Sequence, residues 1–90
     1  MRIDHLSWDE YRVEHISRHG VEPDEVEEVC NDPLHLAHRE GNNRYRLYGQ
    51  TANGRHLFVV LEHAGGTTYK PITARDMTDG EKRGYRRLRR

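Results

Sequence analysis

Apolar residues recur at helical spacing in the first third of the chain and at alternate positions after it. Val13, Ile16 and His19 follow Tyr11 or Arg12 at the three- and four-residue intervals of an amphipathic helix. Ser7-Trp8-Asp9-Glu10 has the S-x-x-E spacing of a capping box at its start, and Gly20 stands where a helix-terminating glycine belongs. Pro23, with Asp24 and Glu25 beside it, opens a second helix whose Val26, Val29 and Cys30 share one face; Asn31-Asp32-Pro33 stops it.

From Leu34 the period changes to two. Leu34–Glu40, Arg44–Thr51, Arg55–His63 and Thr67–Ala74 read as strands, joined by turns at Gly41-Asn42, Asn53-Gly54 and Gly65-Gly66. Asn53-Gly54 is the strongest hairpin signal, since both residues tolerate the positive φ of a type I′ turn. Thr78-Asp79-Gly80-Glu81 is a second capping box, opening a terminal helix that ends in the run Arg86-Arg87-Leu88-Arg89-Arg90. Ile3–Leu6 is one further short stretch compatible with a strand. The pattern predicts an α+β fold: a small antiparallel sheet of about four strands, two N-terminal helices and one C-terminal helix, in a single domain spanning residues 1–90. Pro71 lacks a ladder donor, which places the last strand at a sheet edge.

Two-residue turns fix the register by arithmetic. Arg39 then lies opposite Arg44, Arg44 opposite His63, and His63 opposite Thr68; Ala37, Arg46, Leu61 and Lys70 align next, then His35, Tyr48, Val59 and Ile72. All of these share one face, basic at one end through Arg39, Arg44, Arg46, Lys70 and His63. The other face carries Leu34, Leu36, Leu47, Phe58 and Val60, with His38, Tyr45, Glu62 and Tyr69 at its end, and is the expected seat of the helices. Arg75 has core-facing parity and reaches the basic group only from the strand's end.

The charge distribution gives that face a meaning. The net charge is zero, but residues 1–40 hold 4 Lys/Arg against 11 Asp/Glu and residues 41–90 hold 11 against 4. Such asymmetry suits an anionic partner for the basic half; the plainer alternative is that the halves pair with each other. Ninety residues with 33% hydrophobic content make a small core, so a folded partner, a homodimer or a hetero-oligomer is in keeping with the composition. The single cysteine, Cys30, excludes an intramolecular disulfide and fits a reducing compartment, where it reads as a small buried hydrophobe. The charged N-terminus does not read as a signal peptide, and no stretch approaches a membrane span, so a cytoplasmic location is expected. His15 and His19, or His35 and His38, do not complete a metal-ligand pattern, so neither metal nor cofactor is expected. Trp8 reads as core.

Clustered cations beside a histidine and Tyr48 suit a phosphodiester, because they hold phosphate, move a proton and stack a base. The ordered set of segments WDEYRVEHISRHGV, a second helix closing on NDP, RYRLYGQTANGRHLFVVLE and ITARDMTDGEKRGY resembles the BrnT family of toxins, the toxin halves of bacterial type II toxin–antitoxin pairs. The resemblance implies a compact sheet related to RelE-type ribonucleases, RNA cleavage that blocks translation, and neutralisation by an antitoxin with a DNA-binding domain. By position, Arg44 matches the arginine opening the family's strand before its glycine, here Gly49; His19-Gly20 match its helix-ending turn, with Arg18 in place of lysine. Arg75 matches the arginine of the I-S/T-A-R segment, and Glu81 and Tyr85 the terminal-helix signature. His15 stands where asparagine is common, and Lys70-Pro71 where arginine is common; lysine keeps charge but not the bidentate fork.

The reading that follows is a metal-independent endoribonuclease in which the RNA 2′-hydroxyl attacks the adjacent phosphate. Arg44, Arg75 and Lys70 bind the reacting phosphate, His63 and Glu62 are the proton-transfer candidates, with Tyr85 a further one, and Arg39, Arg46, Tyr48 and Tyr85 contact RNA. Two alternatives compete. One is a binding module without catalysis, its acidic helices docking a partner. The other is a helix-turn-helix DNA binder, disfavoured because the second helix bears Glu22, Asp24, Glu25, Glu27 and Glu28.

Overall fold

The structure, a computed structural model, describes residues 1–88, so Arg89 and Arg90 of the predicted terminal helix lie outside the described residues. In chain order the elements are β1 (His5–Leu6), α1 (Glu10–Ser17), α2 (Pro23–Asn31), β2 (Leu36–Glu40), β3 (Arg44–Gln50), β4 (His56–His63), β5 (Thr68–Asp76) and α3 (Asp79–Leu88). The helices and the four main strands fall where the hydrophobic pattern places them. The sheet, however, has five strands in the order β1-β5-β4-β3-β2 and is mixed, because β1 pairs in parallel with β5 through His5–Thr68 and Leu6–Tyr69. Two paired residues are too short to carry a periodic signal. β5 is therefore not the edge strand that Pro71 suggests: it lies between β1 and β4, although among the described residues β1 pairs only with Thr68 and Tyr69, short of Pro71.

Local chemistry explains the ends. α1 is capped by Asp9, whose carboxylate accepts the Arg12 N–H at 2.8 Å, two residues later than the Ser7 box suggests. A carboxylate at that position also favours the positive helix start. At α2, Pro23 occupies the first turn and the Glu25 carboxylate reaches back to the Glu22 N–H at 3.0 Å. The predicted box at α3 forms reciprocally: Glu81 accepts from the Thr78 N–H at 2.8 Å and the Thr78 hydroxyl accepts from the Glu81 N–H at 3.1 Å.

Both sheet faces are covered. On one, Leu47, Leu57, Val59, Leu61 and Ala74 pack with Ile16 of α1, Val26, Val29 and Cys30 of α2, and Val21 between them, with Trp8 at the margin. Each fully buried aliphatic side chain contributes roughly 1.5–3 kcal/mol, so this layer carries most of the stability. Cys30 is part of it, and burial pushes its thiol up to about 12, which keeps it protonated and inert. On the other face α3 sets Tyr85 against Phe58 and Met77, flanked by Leu36, Tyr48 and Val60. His19, expected inward, is exposed, as is Tyr11. No helix among the described residues is long and apolar enough to cross a membrane.

The register differs from the two-residue-turn expectation at every hairpin. Glu40 pairs with Arg44 around a three-residue loop, and Gln50 with His56 around a five-residue loop. His63 pairs with Tyr69, and the Ala64 N–H donates to Thr68 O at 2.9 Å, leaving Gly65-Gly66-Thr67 as the turn. Asn53 does not adopt positive φ, whereas Gly41, Gly54, Gly65 and Gly66 do, so the left-handed step falls on glycine each time. An odd loop turns the following strand over relative to an even one.

Candidate functional site

The corrected register divides the predicted basic face and assembles a different one. Leu36, Tyr48, Phe58 and Arg75 align as one cross-strand row, and His38, Arg46, Val60 and Thr73 form the next. Glu40, Arg44, Glu62 and Lys70 make a third. Opposed residues of an antiparallel pair share a face, so these three rows lie on the side that α3 partly covers. Lys70 and Arg75 are separated by an odd number of positions and meet on this face because β5 carries an extra residue, Ile72, where the register shifts between Val60 and Leu61. That bulge, and not the strand's end, brings Arg75 to the other cations.

Two members of the predicted cluster fall elsewhere. Arg39 pairs with Tyr45 and His63 with Tyr69, both on the α1/α2 side. Arg39 folds over its own turn, donating to Gly41 O at 3.2 Å and Asn42 O at 3.0 Å. His63 is engaged with Gly66 O at 2.9 Å and packs its ring 5.2 Å from that of Tyr69. Glu62, read as core-facing, instead joins Arg44 on the α3 side at 3.5 Å. His38, also read as core-facing, is exposed beside Arg46 with its ring edge-on to Tyr48 at 6.0 Å. Its signal was in the sequence, hidden by the assumed turn length.

Between α3 and the sheet lies a cleft of about 230 Å³ lined by Leu36, His38, Arg46, Tyr48, Glu81, Gly84, Tyr85 and Leu88. Larger hollows of about 440 and 520 Å³ lie beside α2 and lack the arginines of the sheet face. Arg75 lies behind the lining residue Glu81: its guanidinium sits 4.3 Å from the Phe58 ring centroid and forks onto Glu81 at 2.8 and 3.1 Å. The fork holds Glu81 below the usual carboxylate range and Arg75 above its own. Arg46 pairs with Glu40 at 3.1 Å, but both are substantially exposed, as are Arg44 and Lys70. Exposed pairs of this kind are worth little, so an incoming phosphate can take their place. Tyr85 is only 2% exposed, its hydroxyl 3.3 Å from Asp32 Oδ2 and its ring edge-on to His56. It braces α3 and presents ring rather than hydroxyl to the cleft.

The plainer account of the charge split holds at two points among the described residues: the exposed Arg46–Glu40 pair, and Arg55. Arg55 of the basic half binds Glu25 of the acidic half at 3.0 Å and Asp76 at 2.8 Å, and donates to Gly20 O at 2.8 Å. The remaining carboxylates of α2 are not drawn into ion pairs among the described residues, and Asp24 and Glu27 stay exposed.

A family model described as the ribonuclease toxin BrnT of a type II toxin–antitoxin system matches residues 8–81, from Trp8 to the first turn of α3. The chain belongs to the BrnT toxin family. Membership places it among ribonuclease toxins of type II toxin–antitoxin systems and so implies an RNA target and a cognate antitoxin. The fold agrees: the crystal structure of the Brucella abortus ribonuclease toxin BrnT is similar with a TM-score of 0.67, over 83% of this chain and 97% of that one, at 18% identity. No curated protein sequence matches the chain.

Proposed function

We propose that this BrnT-family chain is a metal-independent endoribonuclease that cleaves RNA on the α3 side of its sheet and thereby blocks translation in the cytoplasm. The observation that carries this is the meeting of Arg44, Arg46, Lys70 and Arg75 on one face, beside His38 and a cleft walled by Tyr48. In this reading the 2′-hydroxyl attacks the adjacent phosphorus, the P–O5′ bond breaks, and the products are a 2′,3′-cyclic phosphate and a free 5′-hydroxyl. Arg46 and Arg44, with Lys70, stabilise the charge gathered on the non-bridging oxygens. Arg75, already fixed by Glu81 and Phe58, supplies a preorganised guanidinium next to the cleft wall. His38 replaces His63 as the imidazole for proton transfer, because it alone of the two lies on this face; Glu62, across from Arg44, is the carboxylate partner. Tyr48 offers a ring for a base.

A binding-only reading has one observation in its favour: Arg44, Arg46 and Arg75 are each matched by a carboxylate. Expression in cells separates the two. Arg44→Ala and Arg75→Ala should each relieve growth inhibition and RNA cleavage, and retention of both effects in both variants would refute the assignment. The antitoxin, with its own DNA-binding domain, is proposed to dock on the acidic α2 surface in a hetero-oligomer. Raising salt should weaken that association.

A further inference from the structure

Outside the cleft, α1 and the turn after it carry a line of rings that the site described above does not use. Tyr11 and His15 lie four residues apart on α1, and His19, in the turn that follows the helix, continues the line through its ring contact with His15. The Tyr11 and His15 rings are nearly parallel, 16° apart with centroids at 6.3 Å, and His15 meets His19 edge-on at 5.4 Å. Arg12 lies 5.3 Å from the Tyr11 centroid. Tyr11 is 68% exposed, far more than a tyrosine with a packing role.

The stripe is joined to the candidate site. His15 Nε2 lies 3.3 Å from Thr73 Oγ1, and Arg12 donates to Ile72 O at 3.5 Å. Thr73 ends the row His38–Arg46–Val60–Thr73, so the rings begin where that row stops, at the β5 margin. At about 4.8 Å per strand the row spans roughly 15 Å, the reach of a few nucleotides. Among the charges near the stripe, Glu14 is matched by Arg18 at 2.8 Å, and Glu10 stands in the first turn of the helix.

We infer that the Tyr11–His15–His19 stripe is a stacking site for an unpaired base of a single-stranded RNA that crosses the sheet face to the β5 margin. Aromatic faces accept any base, and Arg12 adds a cation beside the first ring. The site therefore adds length and affinity to substrate binding without selecting sequence. The inference rests on the ribonuclease reading given above.

The test is fluorescence anisotropy with the full chain and a fluorescein-labelled, 2′-O-methylated single-stranded RNA, which binds but cannot be cleaved. Tyr11→Ala combined with His19→Ala should weaken binding about ten-fold, whereas Tyr11→Phe retains affinity. Both residues are exposed, and an unchanged thermal melt confirms the fold. Affinity within two-fold of wild type for the double variant would overturn the inference, and if Arg46→Ala still abolished cleavage the ribonuclease reading would stand. Wild-type protein that neither binds the probe nor cleaves unmodified RNA would overturn both.

Discussion

Replacing Arg55 by alanine is predicted to destabilise the protein without touching its chemistry. The guanidinium ties the Thr51–Arg55 loop to two distant places: Glu25 at the start of α2, with Gly20 O beside it, and Asp76 at the end of β5. Arg55 and Glu25 side chains are 29% and 25% exposed, so their contact is partly shielded, whereas Asp76 at 61% is mostly in water. A hydrogen bond to a charged group is worth about 1.5–3 kcal/mol, taken here at its lower end for the Glu25 and Gly20 contacts together. The exposed Asp76 pair adds about 0.5–1 kcal/mol. The expected loss is therefore about 2–2.5 kcal/mol, or on the order of 10 °C in melting temperature for a domain of this size. Arg55→Lys should recover only part of it, because an ammonium cannot fork onto Asp76 while reaching Glu25. Urea denaturation of wild type, Arg55→Ala, Glu25→Ala and the double variant measures the coupling. A loss below about 0.5 kcal/mol, or strict additivity of the single changes, would refute the idea that Arg55 joins the two halves.

Four further predictions concern the core and the site's frame. Among the described residues neither buried His35 ring nitrogen has a partner at ordinary hydrogen-bond geometry, and burial lowers the imidazole below its ordinary 6.5. A depressed histidine contributes stability fully above its unfolded pKa and loses it as pH falls, so chemical denaturation should show a decline below about pH 6.5 that His35→Leu flattens. Gly49→Ala would put a methyl 3.0 Å from Val29 Cγ1 and 3.3 Å from His35 Cβ, which should cost roughly 1–3 kcal/mol in the same assay. Arg75 and Arg55 hold Glu81 and Asp76 low, so both pairs also stabilise above the ordinary carboxylate range and fail as acid protonates them. Glu81→Gln should accordingly lower the melting temperature at pH 7 and narrow its difference from wild type near pH 3. Thr78→Ala, which removes one half of the α3 cap, should cost about 1 kcal/mol by urea denaturation.

Local signals in the sequence carried most of the architecture. Period-3.6 and period-2 patterning placed all three helices and the four long strands, because burial on one face leaves a periodic trace in each. β1 was faint because its two residues are placed by pairing with β5 rather than by their own pattern. The site was less legible for a sharper reason. Strand faces alternate with every residue, so one extra position in a loop reassigns a whole strand. Gly41-Asn42-Asn43 and Thr51–Arg55 each close with an odd number of residues, and this moved His38 and Glu62 onto the α3 side of the sheet and Arg39 and His63 off it. Arg75 came across through the Ile72 bulge, which no composition rule announces. The charge split overstated the basic group: Arg55 is structural, and its loop position gave no hint of three partners.

The central claim is that RNA is cleaved on the α3 side of the sheet by its arginines and His38, with no metal. Purified chain should be incubated with single-stranded RNA in excess EDTA and the product ends analysed. The account predicts fragments ending in 2′,3′-cyclic phosphate and 5′-hydroxyl, with rates falling about 100-fold or more in Arg46→Ala and His38→Ala and holding near wild type in Arg39→Ala and His63→Ala. Cleavage abolished by EDTA, or lost in the Arg39 and His63 variants but not in the Arg46 and His38 variants, would contradict it.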